Sequence, residues 1–311
     1  AMEYMSIRVL AAPFAISMFV ILGWLFGMGK TFHSLCLLVA VNVLNILLDI
    51  IFVNFLYLGI AGVAYATILS EFFGFALGIY LCREFLFNLE KIKRRAVFLS
   101  NKWQSFIILN TNIIIRSTLL QAVFLSYLLF GTLFGSETLA ANHILLQITY
   151  LSAYALDGVA FSSEILVGEA IGQRRNQQFK KVVSSALRIG FVFSSVIGVS
   201  FYFLGFLFVD LMTSIKPVRI ICYEFIIWIS IMPVVSVFSY VYDGIFLGAA
   251  RGKEIRIAMI QACSIFFICV IMLVPLMGNM GLWTSIVVFN AVRALTLWTK
   301  LDRIEGSFSY N

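Results

Sequence analysis

The sequence predicts an all-α protein, a polytopic membrane helix bundle with about nine spanning helices, and three observations carry that expectation. The 311 residues are 62% hydrophobic and only 12% charged, with a mean hydropathy of +1.01, whereas soluble domains are roughly 45–50% apolar and about a quarter charged. Apolar runs of about 18 residues or more, enough to cross roughly 30 Å of hydrocarbon at 1.5 Å per residue, recur along the whole chain. Those runs lack the two-residue alternation of barrel strands, and hydrocarbon satisfies no backbone group, so the spans are expected to be helices.

In chain order the expected spans are 13–28, 34–53, 62–81, 106–130, 139–167, 182–208, 220–247, 257–274 and 281–297. The turns between them alternate between basic and nearly uncharged. Seventeen of the 22 Lys and Arg fall at Lys30, between Arg83 and Lys102, between Arg174 and Arg188, between Arg251 and Arg256, and at Lys300 and Arg303. The opposite turns hold only Arg8, Lys216 and Arg219. Basic turns stay in the cytoplasm, so the carboxy terminus is expected inside and the first span is expected to begin outside. The net charge of +7 is explained by this asymmetry and not by nucleic acid. Cys36, Cys82, Cys222, Cys263 and Cys269 mostly lie within apolar runs without metal-ligand or CxxC spacing, which reads as packing and predicts no metal site. No cleavable signal peptide is evident, and the chain opens Ala1-Met2, as at an internal boundary.

An approximate repeat relates the first and seventh spans. Pro13, Gly23, Gly27, Gly29 and Lys30 match Pro233, Gly244, Gly248, Gly252 and Lys253 with a one-residue slip. Each copy is followed by two spans joined by an outer glycine turn, Gly59 to Gly62 and Gly278 to Gly281. Three further spans precede the second copy, so by symmetry a parent of two six-helix halves is expected, with three helices ahead of residue 1. The expected domains are 1–85, the second half of an amino-terminal lobe, a basic cytoplasmic linker at 86–102, and a six-helix carboxy-terminal lobe at 103–311.

Ionisable groups at bilayer depth cost about 2.5–3.5 kcal/mol on insertion scales, so each is a candidate site residue with a partner to be found. Asn42, Asn45 and Asp49 share one face of the second span, with Thr67 available from the third. They form either a polar pocket whose carboxylate carries a proton or the hydrogen-bonding glue of a helix pair. The fifth span carries a polar stripe of His143, Gln147, Tyr150, Tyr154, Asp157 and Glu164, which must face a cavity or a partner helix. Arg116 is the expected partner of Asp157 or Glu164; like Arg293, it is a basic residue that loop position does not explain. Asp243 in the seventh span is either a cation ligand or a packing anchor. HExxH, G-x-S-x-G and Walker motifs are absent from the sequence, which argues against an enzyme and against direct ATP coupling.

Several stretches resemble the multidrug and toxic compound extrusion (MATE) family. Ala12-Pro13 through Gly27, Asn45 through Val53, and Gly62 through Thr67 look like its fourth to sixth helices. Arg116 through Gln121, Ala140 through Asn142, Tyr154 through Glu164, Leu166 through Gly172, and Asp243 through Arg251 resemble its DinF branch. The resemblance implies a two-lobed, twelve-helix exporter of the bacterial inner membrane, working by alternating access. Its substrate would be a small amphipathic or cationic compound, with H+ or Na+ as coupling ion, no other cofactor, and a monomer in the lipid bilayer. In prokaryotic relatives the cavity residues fall on Asn45, Asp49 and Thr67 here, while the family's acidic residue of the first helix has no counterpart in this chain. A lipid-linked flippase and a non-transporting remnant are the alternatives; the flippase would need arginines lining its cavity.

Overall fold

The computed structural model describes residues 2–86 and 100–306, and these are helical nearly throughout. The chain divides into two compact units, Ala1–Leu99 and Ser100–Asn311. Lys91, Lys93, Arg94 and Arg95 of the expected linker lie outside the described residues. The second unit begins at Ser100, so the last residues of the expected 86–102 linker are already helix.

The first unit contains α1 (Met2–Val9), α2 (Ala12–Gly27), α3 (Thr31–Asp49) and α4 (Gly59–Leu86). Helix α4 packs against the other three. Close approach is possible because Gly74 and Gly78 present no side chain: a Cβ at Gly74 would lie 2.5 Å from Val41 Cγ2, and one at Gly78 would lie 3.0 Å from Ile21 Cδ1. The apolar core of this unit is Leu22, Leu25, Leu37, Val41 and Cys82.

The second unit runs α5 (Ser100–Gly131), α6 (Ser136–Gly172), α7 (Asn176–Met212), α8 (Lys216–Glu224), α9 (Ile226–Gly248), α10 (Gly252–Met277), α11 (Asn279–Trp298) and the short α12 (Asp302–Gly306). Its centre is α9, which packs on α6, α7 and α11, while α10 joins α11 to α5. Gly244 and Gly248 are one helical turn apart, and the backbone of α6 lies against them. A Cβ at either position would collide with a main-chain carbonyl oxygen, that of Ala160 or Glu164 respectively. Small residues four apart allow this backbone contact between membrane helices, where dispersion replaces the hydrophobic effect as the driving force.

Among the described residues, eight helices are long and apolar enough to cross a bilayer; the first expected span, Ala12–Gly27, has only 16 residues and falls short. Helices α6 and α7 run 37 residues each, about 55 Å at 1.5 Å per residue. They extend well past the apolar stretches that hydropathy marked, because polar residues at both ends continue the same helices. Two expected spans are interrupted. The second is α-helical only to Asp49 and continues as a π-helix over Ile50–Phe55. The seventh breaks at Phe225, between α8 and α9. At that end Arg219 pairs with Asp210 at 3.1 Å, and the Tyr223 hydroxyl donates to Asp210 Oδ1 at 2.5 Å, fastening α8 to the end of α7.

The repeat gains structural support. A short helix precedes each copy, α1 before α2 and α8 before α9. Gly59 and Gly278 of the two glycine turns are both left-handed, with φ of +54° and +59°, and the buried Gly62 and Gly281 follow three residues later. Three basic turns also share one cap. Gly29, Arg174 and Ala250 each take a left-handed φ between +55° and +68°. The next amides, of Lys30, Arg175 and Arg251, reach back five residues to the carbonyls of Leu25, Ala170 and Phe246 at 2.8–2.9 Å. These bonds close a Schellman motif at each basic turn.

Gly248→Ala is expected to destabilise the second unit by about 1–3 kcal/mol, since the backbone it meets cannot swing aside. Gly158→Ala serves as control, because its methyl would meet nothing within 4 Å. Thermal unfolding in detergent should show a lower midpoint for the first variant and an unchanged or higher one for the second; equal midpoints would contradict the close contact.

Candidate functional site

The expected polar residues form two groups, one in each unit. In the first unit the α3 residues do not all converge. Asn42 is exposed, and its Nδ2 donates to Leu38 O of its own helix at 2.8 Å. Thr67 likewise donates to Val63 O at 2.9 Å, within α4. Asn45 and Asp49, one turn apart, remain: Asn45 Nδ2 and Asp49 Oδ1 are both buried and have no hydrogen-bond partner among the described residues. Asp49 is the last α-helical residue before the π-helical segment. Single-turn departures of this type frequently mark functional positions, because they re-aim side chains and free backbone groups.

One residue of this unit escaped the sequence reading. Glu71 lies one turn beyond Thr67 on α4, is nearly buried, and pairs with Arg8 of α1 at 2.7 Å. A carboxylate in the middle of an apolar run was the available signal. Its partner Arg8 lies near a turn, where a basic residue needs no carboxylate to account for it.

The second unit holds a charge cluster that corrects the expected pairing. Arg116 of α5 does not pair with Asp157 or Glu164; it pairs with Asp243 of α9, and Arg293 of α11 pairs with the same carboxylate oxygen. Asp243 is therefore held between two guanidiniums. Arg293 is 2% exposed and lies 5.8 Å from the centre of the Tyr240 ring. Asp157 of α6 feels the charge of both arginines without a direct bond to either among the described contacts. Arg116 and Arg293 stand on helices that do not carry the polar stripe, and only the fold brings them together.

The remaining stripe residues divide by exposure. His143, Gln147 and Tyr154 are exposed, and Tyr150, Asp157 and Glu164 are partly buried. Near the Gly278 turn Asn142 and Asn279 exchange amide hydrogen bonds at 2.7 and 3.0 Å, and Trp283 Nε1 donates to Asn142 Oδ1 at 3.0 Å. This network fixes α6 to α11. Deeper in the same unit, Asn290 and Ser239 join α11 to α9 at 3.4 Å. Among the described residues no group of three or more His, Cys, Asp or Glu is placed to hold a metal ion.

Removing one partner from a buried ion cluster costs about 3–5 kcal/mol, because the charges left behind lose their compensation. Asp243→Asn strands two arginines, whereas Arg293→Met leaves the Arg116–Asp243 pair intact. Thermal unfolding in detergent is expected to rank Asp243→Asn as the most destabilising, Arg293→Met next and Asp157→Asn last. Equal losses for Asp157→Asn and Asp243→Asn would return Asp157 to the role of principal counterion.

The family model MatE matches residues 113–276. The chain is 34% identical over 304 residues to DNA damage-inducible protein F of Escherichia coli strain K12, an alignment covering 96% of this chain and 65% of that protein. It is 27% identical over 299 residues to Protein DETOXIFICATION 43 of Arabidopsis thaliana, covering 95% of this chain and 55% of the plant protein. The chain thus spans just under two thirds of the bacterial relative and little more than half of the plant one. Among solved structures, a MATE transporter of Vibrio cholerae superposes with a TM-score of 0.88 at 17% identity, over 98% of this chain and 69% of that one. A MOP superfamily transporter of Pyrococcus furiosus gives 0.85 at 21% identity, over 100% and 71%. Spanning helices, paired glycine turns and the match across more than half its length agree: the chain belongs to the MatE family.

Proposed function

We propose that the chain is the working part of a secondary antiporter that exports organic cations or other amphipathic compounds in exchange for H+ or Na+. The observation that supports it best is the pair Asn45 and Asp49. A carboxylate oxygen and an amide nitrogen are buried one turn apart on a membrane helix, without partners in their own unit among the described residues. A carboxylate oxygen left without a partner inside a membrane bundle is a site that a cation can satisfy, whether a proton, sodium or the charged centre of a substrate. If the two classes of cation compete for Asp49, binding of one releases the other, which is the minimum requirement for exchange. Thr67 and Asn42 donate to carbonyls of their own helices, and their side-chain oxygens keep lone pairs for a cation. The protein is a monomer in the bacterial inner membrane in this reading, with its basic turns and carboxy terminus cytoplasmic.

A second reading has one observation in its favour. Arg116 and Arg293 meet on Asp243, and a guanidinium pair is the group that recognises pyrophosphate or carboxylate. A flippase of lipid-linked substrates would use it. Both guanidiniums are already engaged by Asp243, which supports cation exchange as the primary reading.

The test is efflux of a cationic dye from proteoliposomes under imposed pH or sodium gradients. Asp49→Asn is expected to lower gradient-driven efflux at least roughly tenfold, within the 1–3 kcal/mol typical of coupling between two sites. Undiminished efflux under both gradients would remove Asp49 from the exchange. Wild-type protein that moves no dye but moves a lipid-linked anion would favour the flippase; movement of neither would favour a chain that does not transport.

A further inference from the structure

A groove of about 430 Å³ runs along the surface of the second unit between α6 and α7, within the roughly 300–1,000 Å³ usual for small-molecule sites. Its walls are small: Ala155, Gly158 and Ser162 on α6 face Ser185 and Ala186 on α7. The space above Gly158 is open, since a Cβ there would meet nothing within 4 Å. The groove is distinct from the polar stripe. At about 100° per residue, Gly158, Ser162 and Leu166 lie roughly 100–180° around α6 from Asp157. The small side chains explain why a channel exists at all, because larger ones at the same positions would close the two helices over it.

One end of the groove is charged and the rest is apolar. Lys181 lines it at the end nearest the basic turn, and Ile189 lines it eight residues further along α7. That separation is about 12 Å at 1.5 Å per residue, close to the roughly 15 Å depth of one leaflet of a 30 Å hydrocarbon core. Lys181 has no ion-pair partner among the described residues, and neither do Arg174 and Arg175 of the turn. The neighbouring Lys180, by contrast, is matched by Glu305 of α12 at 2.9 Å. Three exposed cations without acidic partners, Lys181, Arg174 and Arg175, therefore stand at the headgroup end of a channel one leaflet deep, on helices long and apolar enough to cross the membrane. Basic clusters at the edge of spanning helices attract anionic lipid headgroups.

We propose that this groove is a binding site for one anionic phospholipid, with an acyl chain lying between α6 and α7 and its phosphate at Lys181, extending toward Arg174 and Arg175. The occupant comes from the bilayer and is not a soluble anion, since the apolar length of the groove has nothing to offer a free phosphate. The site does not depend on the export reading, because lipid retention is measured without transport.

The test is native mass spectrometry of the purified protein after exchange into mixed micelles containing phosphatidylglycerol or phosphatidylcholine, with glycerol phosphate as a headgroup-only arm. Phosphatidylglycerol is expected to be retained in preference to phosphatidylcholine, and glycerol phosphate is expected not to be retained. Lys181→Gln should weaken retention roughly fivefold, the weight of one basic residue at an anionic surface. Ser162→Leu, which fills the channel and leaves every charge in place, should abolish it. Equal retention of the two lipids by the wild type would overturn the proposal even if neither variant folds. Retention that survives both substitutions, or glycerol phosphate bound as well as the lipid, would overturn it too.

Discussion

Hydrocarbon donates and accepts no hydrogen bonds, so each polar or charged group that these helices carry into the bilayer needs a partner from the protein or from a ligand. Most such groups find a partner inside their own unit. Serines and threonines along the helices bond to carbonyls three or four residues back. Glu71 takes Arg8, Asp243 takes two arginines, and Asn142 takes Asn279 and Trp283. Asn45 and Asp49 differ in that two such atoms, Asn45 Nδ2 and Asp49 Oδ1, lie buried without a partner among the described residues one turn apart on a single helix, an arrangement a cation could satisfy.

The same constraint shapes the packing. With lipid tails as apolar as leucine, helices gain little from hiding hydrophobic surface and must gain from contact. Hence glycines stand at close helix contacts: Gly244 and Gly248 on α9 against the backbone of α6, Gly74 and Gly78 on α4 against side chains of α2 and α3. A rigid α6–α9 contact also holds Asp243 at the depth where α5 and α11 deliver their arginines. Packing and charge placement are in this sense one feature. Where the helices separate, as between Gly158 and Ser185, the exposed groove is lined by the same small residues that elsewhere bring helices together.

Much of the fold was legible in the sequence because hydropathy reports directly on the lipid environment. The helical class, the spans in outline and the repeat of glycine turns all followed from residues whose role is local. Interruptions were not legible: the Ile50–Phe55 segment is apolar but for Asn54, and the break at Phe225 follows a lone Glu224, so hydropathy averaged over a span runs on through both. Gly29 announced its left-handed turn, while Ala250 took the same conformation without glycine to signal it. The site was legible as a set of costly residues but not as pairs. Which of three carboxylates answers Arg116 depends on which helices are neighbours, and the periodicity of one helix contains no information about the next. Glu71 was not legible for the reverse reason: the place of its partner Arg8 near a turn accounts for a basic residue without any carboxylate.

Ionisation of Asp49 is the point on which cation exchange turns, and it can be followed directly. Infrared difference spectra of aspartate-labelled protein in lipid, titrated with pH and with sodium, resolve carboxylic acid from carboxylate. A carboxyl band that changes with one of the two cations, and that is absent from Asp49→Asn, is the expected result. Superimposable spectra for the wild type and the variant throughout both titrations would contradict the assignment, because Asp49 would then neither take up nor release the coupling ion.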